Sequence, residues 1–253
     1  MTQVLDKGYV NLVESWGSDE QIIEAARMST NKGFQGWDDS WICKECKLSF
    51  CIDMGTCKGC GGGLRLSKGD LHLLKYLWTN NHHTPFEMAG ATFEIYAPIF
   101  VIREWHRHRT FSYNEMSGRY TELPNDYYIP SVERFMGAAQ GQRNKQGSES
   151  GFGETEAIRF QDVIADACID ARGAYRHLLD AGVAREVARM VLPVNQYSRF
   201  RASGNLRNWC GFLRLRLDKA AQFEIRSYAK VVAAELRQLF PRTMGLFDEE
   251  IHT

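Results

Sequence analysis

Apolar residues along the chain recur with two periods, and the changes between them mark out the elements. From Ser18 to about Ser29, Ile22, Ile23, Ala25 and Ala26 form one helical face, and Ser18 and Gln21 stand in capping-box spacing. A second helix is expected after Ser67-Lys-Gly-Asp70, carrying Leu71, Leu74, Leu77 and Trp78 until Asn80-Asn81. Residues 2–13 read as a short edge strand with a Lys-Gly turn. Ala91 to Ala97 alternates as a half-buried strand would. Pro98 suits a first helical turn, so a helix is expected over Ile99 to Arg107, with a returning strand around Ser117–Thr121. Downstream, helices are expected over about Glu156 to Asp180, Ala184 to Leu192 and Lys219 to Phe240. Gly182 suits the left-handed position closing the first of these, while Pro193 and Pro241 end the other two. Val194 to Arg201 alternates again, and Asn205 is placed to cap a further helix bearing Arg207, Arg214 and Arg216. The fold class is α+β: a small, mostly antiparallel sheet with several long helices.

Two stretches break the periodicity. Residues 137–155 hold almost no large apolar side chains and are rich in Gly, Gln and Ser, which predicts a flexible loop. Between about 36 and 66, glycine is frequent and two Cys-x-x-Cys pairs, Cys43/Cys46 and Cys57/Cys60, stand ten residues apart. Paired knuckles of this kind aim four thiolates at one tetrahedral ion, as in a zinc ribbon. So short a segment cannot build a core, and the metal would supply its folding energy. Four thiolates leave zinc no open position, so the expected ion is structural. Cys51 lies between the pairs and is not expected to be a ligand. The organisation expected is one catalytic domain over 1–253, interrupted by a zinc-ribbon-like insert at 36–66.

The 253 residues suffice for a real core. Lys+Arg and Asp+Glu both number 31, so the chain lacks the global positive excess of a nucleic-acid binder. No apolar run is long enough to cross a membrane and the N-terminus has no signal-peptide pattern, so a cytoplasmic protein without membrane contact is expected. Positive charge is concentrated locally instead. Arg103, His106, Arg107, His108 and Arg109 fall within seven positions, followed by the polar run Ser112-Tyr113-Asn114-Glu115 and by Ser117, Gly118, Arg119 and Tyr120. Guanidinium forks beside hydroxyls suit phosphate and carboxylate oxygens. The competing reading is a solvated Arg-rich turn, but apolar Ile99 to Ile102 ties the stretch to the core. A phosphorylated small ligand is the first inference. Arg189, set among apolar neighbours, also calls for an anionic partner.

Arg107-His108-Arg109, seven residues, then Ser117, within RHRTFSYNEMSGRY, resembles the signature of flavin-dependent thymidylate synthases. Segments such as HHTPFEM, APIFVIREW and GVAREVARMVLP resemble that family in the expected order, apart from the cysteine-rich insert and the 137–155 loop. The resemblance implies methylation of dUMP to dTMP, with methylenetetrahydrofolate as carbon donor and hydride from FAD that NADPH has reduced. It also implies a homotetramer with shared active sites. The FAD contacts it implies are His82, Thr84, Arg107, His108, Arg109, Glu115, Asn205, Arg207 and the backbone of Gly211. The dUMP contacts it implies are Glu104, Trp105, His106, Arg107, Glu115, Met116, Ser117, Gly118, Arg119, Arg189 and Arg216. Arg216 is the implied catalytic residue, holding the uracil and favouring its ionised form, because a guanidinium that never deprotonates stabilises a developing anion. Gly211 and Ala220 depart from residues that contact the flavin in some members. The alternative from another class is a nucleic-acid-binding module, with the ribbon and the Arg-His-Arg turn as its phosphate-reading surface; zero net charge counts against it, and no nucleic-acid partner is expected.

Overall fold

The structure, a computed structural model, describes residues 1–137, 139–140, 148–149 and 151–251. The strands are β1 (Thr2–Val4), β2 (Gly8–Trp16), β3 (Ser40–Cys43), β4 (Ser49–Phe50) and β5 (Leu64–Ser67). They continue with β6 (Gly90–Pro98), β7 (Ser112–Glu115), β8 (Ala139–Gln140), β9 (Ser148–Glu149) and β10 (Tyr197–Asn205). The helices are α1 (Asp19–Arg27), α2 (Asp70–Thr79), α3 (Ile99–Trp105), α4 (Val132–Met136) and α5 (Glu154–Asp180). They end with α6 (Arg185–Ala188), α7 (Leu206–Arg216), α8 (Phe223–Leu239) and α9 (Pro241–Ile251). The α+β reading holds. Of the expected flexible loop, residues 138, 141–147 and 150 lie outside the described residues; β8 pairs antiparallel with β9, and α5 begins at Glu154.

Two compact units divide the chain. One holds Met1–Glu14, Ala91–Gly204 and Asn208–Glu235; the other holds Ser15–Gly90, Asn205–Arg207 and Leu236–Thr253, and so includes the insert.

In the first unit the sheet runs β1-β2-β6-β10-β7. The N-terminal strand expected at 2–13 is a hairpin of two strands, β1 pairing antiparallel with β2. Strand β6 was expected to be half-buried, yet both its faces are largely covered. Its polar side chains find partners inside the sheet: Thr92 Oγ1 bonds to Ser203 Oγ at 2.8 Å, and Glu94 accepts from Tyr9 OH at 3.1 Å. The strand expected at Ser117–Thr121 lies earlier, at β7, which pairs antiparallel with β10 from Ser112↔Ser203 to Glu115↔Phe200. Ser117 starts a tight turn instead, its carbonyl accepting from the Tyr120 and Thr121 amides at 3.1 Å each. Helix α3 also stops short of Arg107, with Pro98 as its N-cap and His106 as its C-cap. Its core anchor is Trp105, fully enclosed and stacked on Phe212 of α7 at 4.7 Å between ring centroids. Gly182, at φ +80°, closes α5 as expected.

In the second unit, Ser18 caps α1 by accepting from the Gln21 amide at 3.3 Å. Pro241 does not merely end α8; it opens α9, which the sequence reading missed. Asp19 caps α9 from across the chain, accepting from Thr243 Oγ1 at 2.6 Å and the Arg242 amide at 2.7 Å. Insert strands β4-β3-β5 form a small antiparallel sheet. Its root is Asp70, whose side chain is wholly enclosed. One carboxylate oxygen takes the Arg27 guanidinium, and the other accepts from the Gln35 amide at 2.6 Å. Asp70 thus opens α2 and anchors the entry to the insert. Removing one partner of a buried pair leaves the other charge uncompensated. Asp70→Ala should therefore lower stability by about 3–5 kcal/mol, read as a shifted urea midpoint with unchanged slope; a shift below about 1 kcal/mol would refute this anchoring role.

Candidate active site

Arg216 ends α7 at the foot of a face on which Trp209, Phe212 and Leu213 enter the core. That packing sets its guanidinium against the C-terminal turn of α3. Nη1 donates to Glu104 Oε2 at 2.9 Å, Nη2 to the Glu104 carbonyl at 2.8 Å and Nε to His108 Nε2 at 3.0 Å. The side chains of Arg216 and Glu104 are only 17% and 23% exposed. Because Nε2 of His108 accepts a hydrogen bond, its imidazole is neutral with the proton on Nδ1. Burial, aided by the Arg216 charge, brings the His108 pKa down to about 4. Burial raises the Glu104 pKa, and the Arg216 charge opposes that rise. The arrangement is a permanent cation fixed by a carboxylate, a helix-end carbonyl and a neutral imidazole, with nitrogen hydrogens to spare.

A second feature of the same unit is a cavity of about 540 Å³, sized for a nucleotide. Arg103, Glu115, Met116, Ser117, Gly118 and Arg189 line it. Arg189 enters from the 3₁₀ turn after α6, and Ser117 and Gly118 enter from the turn after β7. A Cβ on Gly118 would lie 3.2 Å from Arg189 Cδ, so glycine lets the guanidinium stem come close. Two arginines beside a hydroxyl and a bare backbone make a fit for a phosphate. Ser198, Glu186 and Met190 also line the cavity, and sequence reasoning named none of them. For Ser198 the only signal was alternation along β10.

The other assigned residues divide. Arg119 lies outside the cavity lining, with Nε 3.5 Å from Glu186. The Trp105 side chain is core, and its enclosed ring fixes α3. His106 is exposed and meets Tyr113 edge-on at 4.8 Å. Arg107 and Arg109 are exposed, with no carboxylate partner among the described residues. At Gly211 an added Cβ would meet nothing within 4 Å, and the Ala220 amide donates to Asp218 Oδ1 at 2.7 Å in a turn. His82, Thr84, Asn205 and Arg207 belong to the second unit. There His82 packs edge-on to Tyr76 at 5.5 Å, and Arg207 pairs with Glu87.

Also in the second unit, the sulfurs of Cys43, Cys46, Cys57 and Cys60 all lie within 4.8 Å of one another. Cys43–Cys60 and Cys46–Cys57 are each 3.5 Å apart. Tetrahedral ligands about 2.3 Å from zinc stand roughly 3.8 Å apart, so the four thiols are compatible with that ion. The knuckles are shaped by main-chain bonds from the Cys43 amide to Leu48 at 2.9 Å and from the Gly61 amide to Cys57 at 2.8 Å.

Comparison with known proteins bears on both features. Residues 11–242 match the family model described as thymidylate synthase complementing protein. The flavin-dependent thymidylate synthase of Thermus thermophilus is 39% identical over 248 residues, covering 98% of this chain and 78% of that protein. The enzyme of the same name from Thermotoga neapolitana is 36% identical over 246 residues, covering 96% and 92%. Among solved structures, the UMP/dUMP methylase PolB of Streptomyces cacaoi bound with 5-Br UMP superposes with a TM-score of 0.76 at 29% identity, covering 98% of this chain and 96% of that one. A fold that carries both a fixed guanidinium cluster and a nucleotide-sized cavity thus agrees with sequence identity along nearly the whole chain, and the chain belongs to the thymidylate synthase complementing protein family, that of the flavin-dependent thymidylate synthases.

Proposed function

We propose that the protein methylates dUMP at C5 of uracil to give dTMP, drawing the carbon from methylenetetrahydrofolate and the reducing equivalents from NADPH by way of FAD. The observation that carries this reading is the fixed Arg216–Glu104–His108 cluster. Arg216 faces the pyrimidine as a charge that cannot be lost, so negative charge developing on the ring is stabilised without reorganisation. Arg189 and Ser117 bind the nucleotide phosphate in the cavity, Glu115, Met116 and Gly118 complete that end, and Arg119 is a further dUMP contact from outside the lining. The residues fit a flavin: Arg107 and Arg109 are exposed cations suited to a pyrophosphate, and the space at Gly211 admits a ligand close to the backbone. FAD would be held by Arg107, His108, Arg109, Glu115, Gly211, His82, Thr84, Asn205 and Arg207. When bound, it supplies the hydride.

We assign the active form to a homotetramer with shared sites. Val163, Ile169 and Met190 support this, being 65%, 68% and 77% exposed although apolar. In such an assembly the cationic and polar groups come from different chains, and an isolated monomer is inactive. We place the protein in the cytoplasm, in keeping with seven cysteines that are all free. No helix among the described residues is long and apolar enough to cross a membrane. The four-cysteine cluster is proposed to hold structural zinc. The nucleic-acid-binding alternative is not favoured, because family membership covers the chain.

Purified protein supplied with FAD should show flavin absorbance and oxidise the reduced flavin only when dUMP is present. Arg216→Ala should lower kcat by about 10²- to 10³-fold with the tetramer intact by light scattering; dissociation instead would make Arg216 structural. Metal analysis should find one zinc per chain in the wild type and none in Cys57→Ser, and full zinc in that variant would remove Cys57 from the site. The fourth expectation concerns pH. His108 has a folded pKa near 4, below its ordinary 6.5. The unfolded chain therefore binds the proton more readily, and this contribution to stability is complete above pH 6.5 and drains away as pH falls towards 4. Replacing His108 by Gln should flatten the melting temperature over that window; an unchanged slope would show that His108 is not the group responsible.

A further inference from the structure

The four-cysteine insert has no task in the reaction proposed above, yet it is built into the helix that leads to two of the assigned flavin contacts. Between residues 36 and 66 only Cys43 and Cys57 are buried, so the centre of the insert is its thiols and not an apolar core. A segment of that kind is ordered when an ion draws the sulfurs together and loosens when the ion leaves. Its two ends meet at the start of α2, where Ser40 of β3 pairs with Ser67 of β5 just before the helix cap Gly69.

A helix leaves its first N–H groups without internal partners. Those at the start of α2 are answered by the chain entering the insert. The Gly69 amide donates to Asp39 Oδ1 at 2.9 Å, the Asp70 amide to the Gly36 carbonyl at 2.8 Å and the Leu71 amide to the Trp37 carbonyl at 3.4 Å. A Cβ on Gly69 would lie 2.6 Å from the Asp38 carbonyl oxygen, so glycine is what lets residues 36–39 close on the helix. Trp37 holds the same stretch from its other side. Its Nε1 donates to Glu20 at 2.9 Å, and the Arg242 guanidinium lies 4.4 Å from its ring centroid. With ten residues, α2 is too short to be stable unaided, so these bonds matter to it. Its far end carries the flavin side. The His82 amide donates to the Leu77 carbonyl at 2.9 Å, and Trp78 packs edge-on against Phe86, in the 3₁₀ turn Thr84–Met88, at 5.4 Å. Thiol cluster, cap, helix, His82 and Thr84 all belong to the second unit.

Resting on the flavin and zinc readings, we propose that the four-cysteine site is an effector site for FAD. A bound divalent metal orders the insert, the ordered insert caps α2, and α2 holds His82 and Thr84 where the flavin meets them. Asp39 and Gly69 are positioning residues in this relay, being neither metal ligands nor assigned flavin contacts. Such coupling is reciprocal, so FAD tightens the metal by the factor with which the metal tightens FAD.

Fluorescence titration of FAD into the full chain, in reducing buffer, tests this on zinc-loaded protein, on protein stripped by a chelator and on stripped protein given zinc back. Stripping should weaken FAD binding about 10-fold and zinc should restore it, with the same factor in zinc affinity with and without FAD. Hydrogen exchange should show the amides of residues 69–79 losing protection on stripping while those of β6 keep theirs. Gly69→Ala should bind zinc fully yet hold FAD at the stripped level with or without metal. Asp39→Ala removes one bond and should shrink the coupling by about 2- to 5-fold. Equal FAD affinity in the three wild-type forms, loss of protection in β6 as well, or wild-type coupling in either variant would overturn the proposal. Zinc-loaded protein that takes up no FAD would overturn the flavin reading, and wild type that holds no metal would overturn the zinc reading; either result takes this inference with it.

Discussion

Arginine never gives up its proton in a protein, so a guanidinium drawn into the interior has to be answered by its surroundings. At the end of α7, the Arg216 side chain is 17% exposed and is answered by three groups that all belong to one short stretch after Ile102. This requirement ties α7 to α3 and fixes the course of the chain through Arg107 and His108. It also sets the protonation of its neighbours. His108 stays neutral because burial and the adjacent charge both oppose a second cation, and Glu104 stays at the ion pair although burial raises its pKa. Aromatic packing makes the requirement affordable in geometry: Trp105 stacked on Phe212 holds the two helices at the separation the ion pair needs.

The cavity beside Arg103 and Arg189 is organised on a different principle. Its arginines, Arg103 and Arg189, line open space rather than an internal ion pair, and in the turn beside them Gly118 leaves room for the Arg189 stem. None of Glu104, His108 or Arg216 lines it. Adjacent residues of one helix, Arg103 and Glu104, thus serve different features, as their angular separation on α3 dictates. The insert is separate again. Its three short strands bury little, and its centre is four sulfurs in a set compatible with zinc, while its root depends on Asp70.

Local patterns carried a large part of this molecule into view. The Ser18 cap, the Gly182 stop and the two cysteine knuckles are each decided by chemistry within a few residues, and each stands in the structure where the sequence puts it. Two readings failed where contacts distant in sequence took over. The strand expected at Ser117–Thr121 became a turn because β10 pairs with Ser112–Glu115. Helix α9 went unread because the group that caps it, Asp19, is more than two hundred residues away in the chain.

By itself the sequence determined the family, the set of charged and thiol groups available, and the α+β class, because spacing and residue type carry that information locally. Only the tertiary structure decided how those groups are shared out: which arginine is locked in an internal ion pair and which faces an open cavity. Those outcomes depend on burial and on partners from remote segments. A buried charge is positioned by everything packed around it, and no local pattern encodes that.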